Sequence, residues 1–136
     1  MTQRPAHFLR LYTSDRSDTP IGILGLSSVD LSFRTGMFWA VAGDKSFRMR
    51  GYGTFASSRF LSLAFGELKL HSISTWAVEH NPSLRGIRRL HFRYVGRQRQ
   101  CHCIDGRRYD RLLFDLLAGE HREIKLEPPR RQREPA

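Results

Sequence analysis

The sequence is short of long apolar runs, of cysteine and of acidic side chains, and each shortage excludes something. No stretch stays apolar over the roughly 20 residues that a membrane-spanning helix needs. No apolar segment follows the N-terminus as a secretory signal would. A cytoplasmic protein with no membrane partner is therefore expected. Only Cys101 and Cys103 are present, in "QCHCID". On a strand they share one face, too close along the chain for an ordinary disulfide. No second ligand pair elsewhere completes a zinc site, so reduced thiols and no metal are expected. Neither the dinucleotide fingerprint G-x-G-x-x-G nor a Walker Gly-Lys-Ser/Thr occurs, and no segment repeats.

The scarcity of acids leaves a strong imbalance: 13 Asp and Glu face 23 Lys and Arg, a formal charge of +10. Such a surface favours anionic partners, among them nucleic acid, phosphorylated cofactors and acidic proteins. Part of the excess lies in "EPPRRQREPA", read as a disordered basic tail over 126–136. The rest is scattered. It forms neither a lysine-rich block nor an aromatic-interleaved stripe, so nucleic acid is possible as a partner but not favoured.

What is present is enough for one domain, over 1–125: the chain has 136 residues, of which 40% are hydrophobic. "HFLRLYT" and "IGILGLSSVDL" read as strands, the glycines of the second marking close backbone approach. "TGMFWAVAG" is a continuous apolar run and reads as a central buried strand. From Thr54 to Leu68, Ala56, Phe60, Leu61, Ala64, Phe65 and Leu68 fall at helical spacing, with Ser57, Ser58 and Glu67 off that face. "SISTWAVE" reads as a strand. Asn81-Pro82 starts a helix whose apolar stripe is Leu84, Ile87 and Leu90. "RYVGRQRQCHC" and "RYDRLLFDLL" read as strands joined by the hairpin turn Asp105-Gly106. The order is β-β-β-α-β-α-β-β, an α/β domain on a mixed sheet.

The stretch "RMRGYG" stands before the first helix. A helix N-terminus offers unpaired N–H groups and the positive end of a dipole. Glycines there let the backbone approach a bulky anion, so this segment is a candidate phosphate cradle. Arg48-x-x-Gly51-x-Gly53 resembles the R/Q-x-x-G-x-G/A pyrophosphate loop of the GNAT acetyltransferase superfamily. Other segments resemble its ribosomal-protein N-acetyltransferase branch: "PIGILGL" and "TGMFWAV" its third and fourth strands, and "LAFGELKLHSI" its A-F-x-x-L-x-L-H-R-I. "NPSLRGIRRLHFRYVG" is similar to its N-x-x-S-x-R-x-L-E-K-x-G-F-x-x-E-G, and "DGRRYDRLLFDLL" to its closing strand.

The resemblance implies a GNAT-like, mostly antiparallel mixed sheet with helices packed on it, lacking the usual first strand and first two helices. It implies acetyl-CoA or another acyl-CoA as donor and the amine of a protein or small molecule as acceptor. The backbone of Met49, Arg50, Gly51, Tyr52, Gly53 and Thr54, with Arg48 ahead of it, would hold the pyrophosphate. Trp39, Ala40 and Val41 would pair with the pantetheine arm. Asn81 would contact the cofactor, and Ser83 would protonate the departing thiolate. Glu79, near the end of its strand, is the candidate general base, ahead of His80.

The sequence departs from that pattern at several points. Arg34 stands where an acid is frequent, Asn81 and Ser83 are one residue closer than usual, and His91 replaces the glycine before Phe92. His71, Trp39, Trp76, Tyr109 and Asp110 are read first as structural, and Arg85, Arg88 and Arg89 as a solvated face. The alternative is a degenerate, inactive relative that binds CoA, an acyl carrier or another acidic partner. The open sheet edge and the face beneath it are expected to be covered by a second copy in a two-fold dimer, or by a partner protein.

Overall fold

The computed structural model describes residues 8–13, 20–42 and 52–124. Six strands form one sheet in the order β1-β2-β3-β4-β6-β5. They are β1 (Phe8–Thr13), β2 (Pro20–Asp30), β3 (Thr35–Ala42), β4 (Ser72–Val78), β5 (Arg93–Ile104) and β6 (Arg107–Leu117). Helix α1 (Tyr52–Gly66) crosses from β3 to β4, and α2 (Ser83–Arg89) from β4 to β5. The element order read from the sequence stands, with α1 beginning two residues earlier and ending two residues earlier than its apolar spacing suggested. Every neighbouring pair is antiparallel except β3 with β4, which is parallel. That pair is joined through a helix, as a parallel connection requires.

Alternation along the strands sorts the sheet into two faces. Leu24, Leu26, Phe38, Ile73, Ala77, Leu112, Phe114 and Leu116 point one way and are buried. Phe60, Leu61 and Ala64 of α1 and Leu84 and Ile87 of α2 lie over them in the same cluster. Phe38 sits at its centre, with ring centroids 6.0 Å from Phe60 and 6.3 Å from Phe92. Among the described residues, no helix covers the other face. The hairpin turn behaves as its residues demand: Asp105 and Gly106 both have positive φ, 50° and 77°, the combination a two-residue hairpin loop requires.

Three readings of the sequence need adjustment. "TGMFWAV" is not buried throughout, because Ala40 and Val41 are exposed where β3 leaves β4. Ser57 and Ser58 are buried, not off the packed side of α1. The segment after β6 lies along that flank. There the Ser58 hydroxyl accepts the Ile124 N–H at 2.7 Å, and the Ser62 hydroxyl meets His121 Nε2 at 2.8 Å. His91, in place of glycine, adopts φ 72°, the left-handed conformation that ends helices and that glycine enters most cheaply. The tail over 126–136 lies outside the described residues.

Candidate functional site

The sheet opens between β3 and β4. Register pairing runs through Thr35↔Ser72, Gly36↔Ile73 and Met37↔Ser74 and then stops. Both strands go on, β3 still paired with β2 to Ala42 and β4 still paired with β6 to Val78. The two halves of the sheet therefore diverge around a wedge. Thr75, buried in β4, spans the wedge where it begins: its hydroxyl donates to the Phe38 carbonyl at 2.9 Å. Ser74 reaches the Gly36 carbonyl at 3.4 Å in the same way. The polar backbone groups of alternate strand residues point to opposite edges. If the carbonyls of Gly36 and Phe38 face β4, then the N–H and C=O of Ala40 face the wedge, while those of Trp39 and Val41 face β2. Of the three residues read as a pairing strand, Ala40 is the one whose backbone groups are free for a guest.

Trp39 has another task. An ideal Cβ on Gly25 would lie 2.3 Å from Trp39 Cζ2, so the indole lies flat on the glycine directly opposite it in β2. This is the close backbone approach read from the glycines of "IGILGL".

Helix α1 is the next described element after β3. Arg48, Met49, Arg50 and Gly51 lie outside the described residues; Tyr52, Gly53 and Thr54 form the first turn. No acidic residue stands in that turn, so none of its own side chains offsets the positive end of the dipole. Helix α2 approaches the same place, since a Cβ on Gly86 would lie 3.4 Å from Thr54 Oγ1.

At the far end of β4, Asn81 caps α2 as its position suggested: its Oδ1 accepts the Ser83 N–H at 2.8 Å. Pro82 already has helical φ and ψ, −57° and −24°. At about 100° per residue, Ser83 lies between the directions of Ile87 and Leu90. Both of those are buried, yet Ser83 is exposed because it begins the helix and overhangs the core. The shortened Asn81–Ser83 spacing thus leaves Ser83 turned towards the sheet. Glu79, half-buried, accepts the Asp110 N–H with Oε2, and its Oε1 lies 3.4 Å from His80 Nε2. Asp110 in turn accepts the Gln100 N–H at 2.8 Å and pairs with Arg97 at 2.7 Å. The Gln100 N–H first and then Arg97 hold the Asp110 carboxyl below its usual range. Gln100 reaches it because β5 bulges between Gln98 and His102, where Gln100 has φ 54°.

On the uncovered face beside the wedge stands a second group. The Arg111 guanidinium lies 3.9 Å from the centroid of the Trp76 ring. His102 stacks on Trp76 at 5.3 Å, and Arg111 Nε donates to His102 Nε2 at 3.1 Å. The structure thus places Ser83, Glu79 and Asn81 together past the end of β4 and Ala40 across the wedge. Sequence reading missed Thr75, Arg111 and His102, and took Asp110 as structural only. A signal existed only for Thr75, a hydroxyl at an inward position of an alternating strand. The others meet through β5–β6 register, which local pattern does not carry. Among the described residues no group of His, Cys, Asp and Glu could hold a metal, and both cysteines are free and exposed.

Neither protein-family models nor curated proteins match the sequence. Solved structures do. A mutant form of spermidine N-acetyltransferase SpeG from Vibrio cholerae is 20% identical, with a TM-score of 0.76 over 84% of this chain and 67% of that one. A probable acetyltransferase is 25% identical, with a TM-score of 0.67 over 73% of this chain and 56% of the other. A dodecameric form of the Vibrio cholerae enzyme is 20% identical, with a TM-score of 0.76 over 84% of this chain and 66% of that one. The chain therefore spans about two thirds or less of the length of these proteins. Its fold is that of GNAT-like acetyltransferases.

Proposed function

We propose that the chain is an N-acyltransferase that takes its acyl group, acetyl in the first instance, from an acyl-CoA. The observation behind this reading is the wedge between β3 and β4, with unpaired backbone groups at Ala40 on one side and Ser83 overhanging the end of the other. In a sheet, such a gap leaves polar groups without partners, and an extended amide-bearing arm can supply them. The N-terminus of α1, with no acidic residue in its first turn, suits a pyrophosphate, with Arg48 and the backbone from Met49 through Arg50, Gly51, Tyr52 and Gly53 to Thr54 as its cradle.

Acyl-CoA supplies an activated thioester carbonyl, which a neutral amine attacks as the carbon–sulfur bond breaks. The protein's contribution is placement and polarity. Trp39, Ala40 and Val41 align the donor's arm along β3, Ala40 through hydrogen bonds and its neighbours as walls. Asn81, its Oδ1 committed to the α2 cap, has its amide nitrogen to offer the donor. Ser83 returns a proton to the leaving sulfur. Glu79 receives the proton of the acceptor amine, directly or through water, on Oε1, the oxygen not held by the Asp110 N–H. No step needs a metal. The spermidine in the name of the Vibrio cholerae enzyme is not carried over as acceptor. A two-fold dimer would cover the bare sheet face, where Leu9, Ile23 and Val41 stand exposed; a chain that sediments as a monomer at micromolar concentration would remove that part.

Calorimetry with acetyl-CoA, paired with turnover on a panel of amines, tests the reading. Ser83→Ala should leave acetyl-CoA affinity nearly unchanged and slow turnover by about 10²–10⁴-fold. A wild-type chain that does not bind acetyl-CoA would overturn the proposal. Binding without turnover on any amine would favour the inactive relative.

A further inference from the structure

We infer that Arg111, seated on Trp76, is an anion receptor beside the acyl-transfer wedge, and that the acceptor therefore carries an acidic group close to its amine. The inference rests on the acyltransferase reading and adds the chemical class of acceptor to it.

Position comes first. Trp76 lies in the half of β4 that has parted from β3, and on the face that no described helix covers. Arg111 is paired across from Val78, the last residue of β4. It thus stands one strand, about 5 Å, from the wedge. An anion there would sit roughly 5–10 Å from an amine at the mouth of the wedge, a span that a short acidic peptide or a phosphorylated amine can bridge.

Preparation comes second. A free arginine side chain loses much rotamer freedom on binding. Here the guanidinium is already held flat on the indole at 3.9 Å, and its Nε–H is already spent on His102 Nε2. That bond uses Nε2 of His102 as its acceptor. The two terminal nitrogens of Arg111 remain, and they form the fork that matches a carboxylate or phosphate.

Charge comes third. Among the described residues no carboxylate lies within ion-pair distance of Arg111; the pairs formed are Glu79–His80, Arg93–Glu120 and Arg97–Asp110. Asp115 is on the same face of β6 but four residues, about 13 Å, along the strand. Arg107 lies on that face in the other direction. A half-buried cation with no counter-ion among the described residues, on a chain of formal charge +10, attracts acids and repels polycations.

The test is calorimetric titration of the whole chain at low salt with three amines: the dipeptide Ala-Glu, O-phosphoethanolamine and spermidine. At least one of the first two should bind, more weakly as salt rises, and which of them binds tells carboxylate from phosphate. Arg111→Gln should weaken that binding about 10–100-fold, the loss of a charged hydrogen-bonded pair. Arg111→Lys, which keeps charge but loses the fork, should fall between. Acetyl-CoA affinity should be unchanged in both variants, which also reports that they are folded. Equal binding by Arg111→Gln, spermidine binding as tight as that of the acidic amines, or no binding of either acidic amine would each overturn the receptor. Failure of wild-type chain to bind acetyl-CoA would instead sink the acyltransferase reading, and the two failures are read from separate titrations.

Discussion

The two faces of the sheet are built from the same strands, residue by residue in alternation, yet they serve different ends. On the helix side, Leu26, Ile73 and Leu116 are 0% exposed; on the other, Leu9 is 56%, Ile23 38% and Val41 55% exposed. The buried side chains that the sheet sends to the covered face are all hydrocarbon except for Thr75, whose hydroxyl is tied across the wedge. The bare face mixes aliphatic side chains with two tryptophans, an arginine and a histidine in defined contacts. One face spends its residues on cohesion. The other holds side chains that are oriented but not enclosed, the condition a binding surface needs.

The largest expected effect breaks the covered face. Ile73→Ala should cost about 2–5 kcal/mol in urea unfolding, since it empties a site with no room to relax. Ile23→Ala, two strands away on the bare face, should cost under about 1 kcal/mol in dilute chain. If a second copy covers that face, the cost of Ile23→Ala should grow with protein concentration, because the mutation then weakens association as well. Similar costs for both substitutions at every concentration would erase the distinction between the faces.

A smaller effect sharpens the comparison on the bare side. Gly25→Ala puts a methyl where the Trp39 ring lies, and the ring must leave. The expected cost is about 1–3 kcal/mol. In the background of Trp39→Ala the same substitution should be nearly free, so the two mutations should couple strongly in a double-mutant cycle. Additive costs would mean that the indole does not rest on Gly25.

The smallest effect concerns the segment that completes the covered side. His121 packs against Phe65 with ring centroids 5.5 Å apart and meets the Ser62 hydroxyl. Its burial, joined by the nearby His91 and Arg122 and opposed by Glu123, lowers its pKa from 6.5. The unfolded chain therefore takes up this proton more readily than the folded one. The contribution is present in full above about pH 6.5 and is lost as pH falls through the folded value below it. His121→Phe should flatten that portion of the stability profile; an unchanged slope would place the pH dependence elsewhere.

Much of this architecture was legible before any coordinates. Bulky and apolar runs bounded by turn residues located each described strand, and helical spacing located both helices, because a helix that meets a core buries one face at that period. Asn81-Pro82 and Asp105-Gly106 could be read outright, since a cap and a two-residue turn each demand particular backbone chemistry within a few residues. Ser58 was misplaced for the opposite reason. Its partner, the Ile124 N–H, arrives from 66 residues further on and leaves no local mark.

The candidate site divides along the same line. The sequence alone determined the order of elements, the phosphate-cradle candidate ahead of α1, and the placing of Asn81, Ser83 and Glu79 just past a strand, because these are relations between near neighbours in the chain. Only the tertiary structure decided that β3 and β4 part after three register pairs, that Ala40 and not Trp39 faces the gap, and that Arg111 comes to rest on Trp76 with His102 as its brace. Those facts depend on strand register and on bulges in β5. They are set by which distant side chains pack together, a global optimum that no short window of sequence contains.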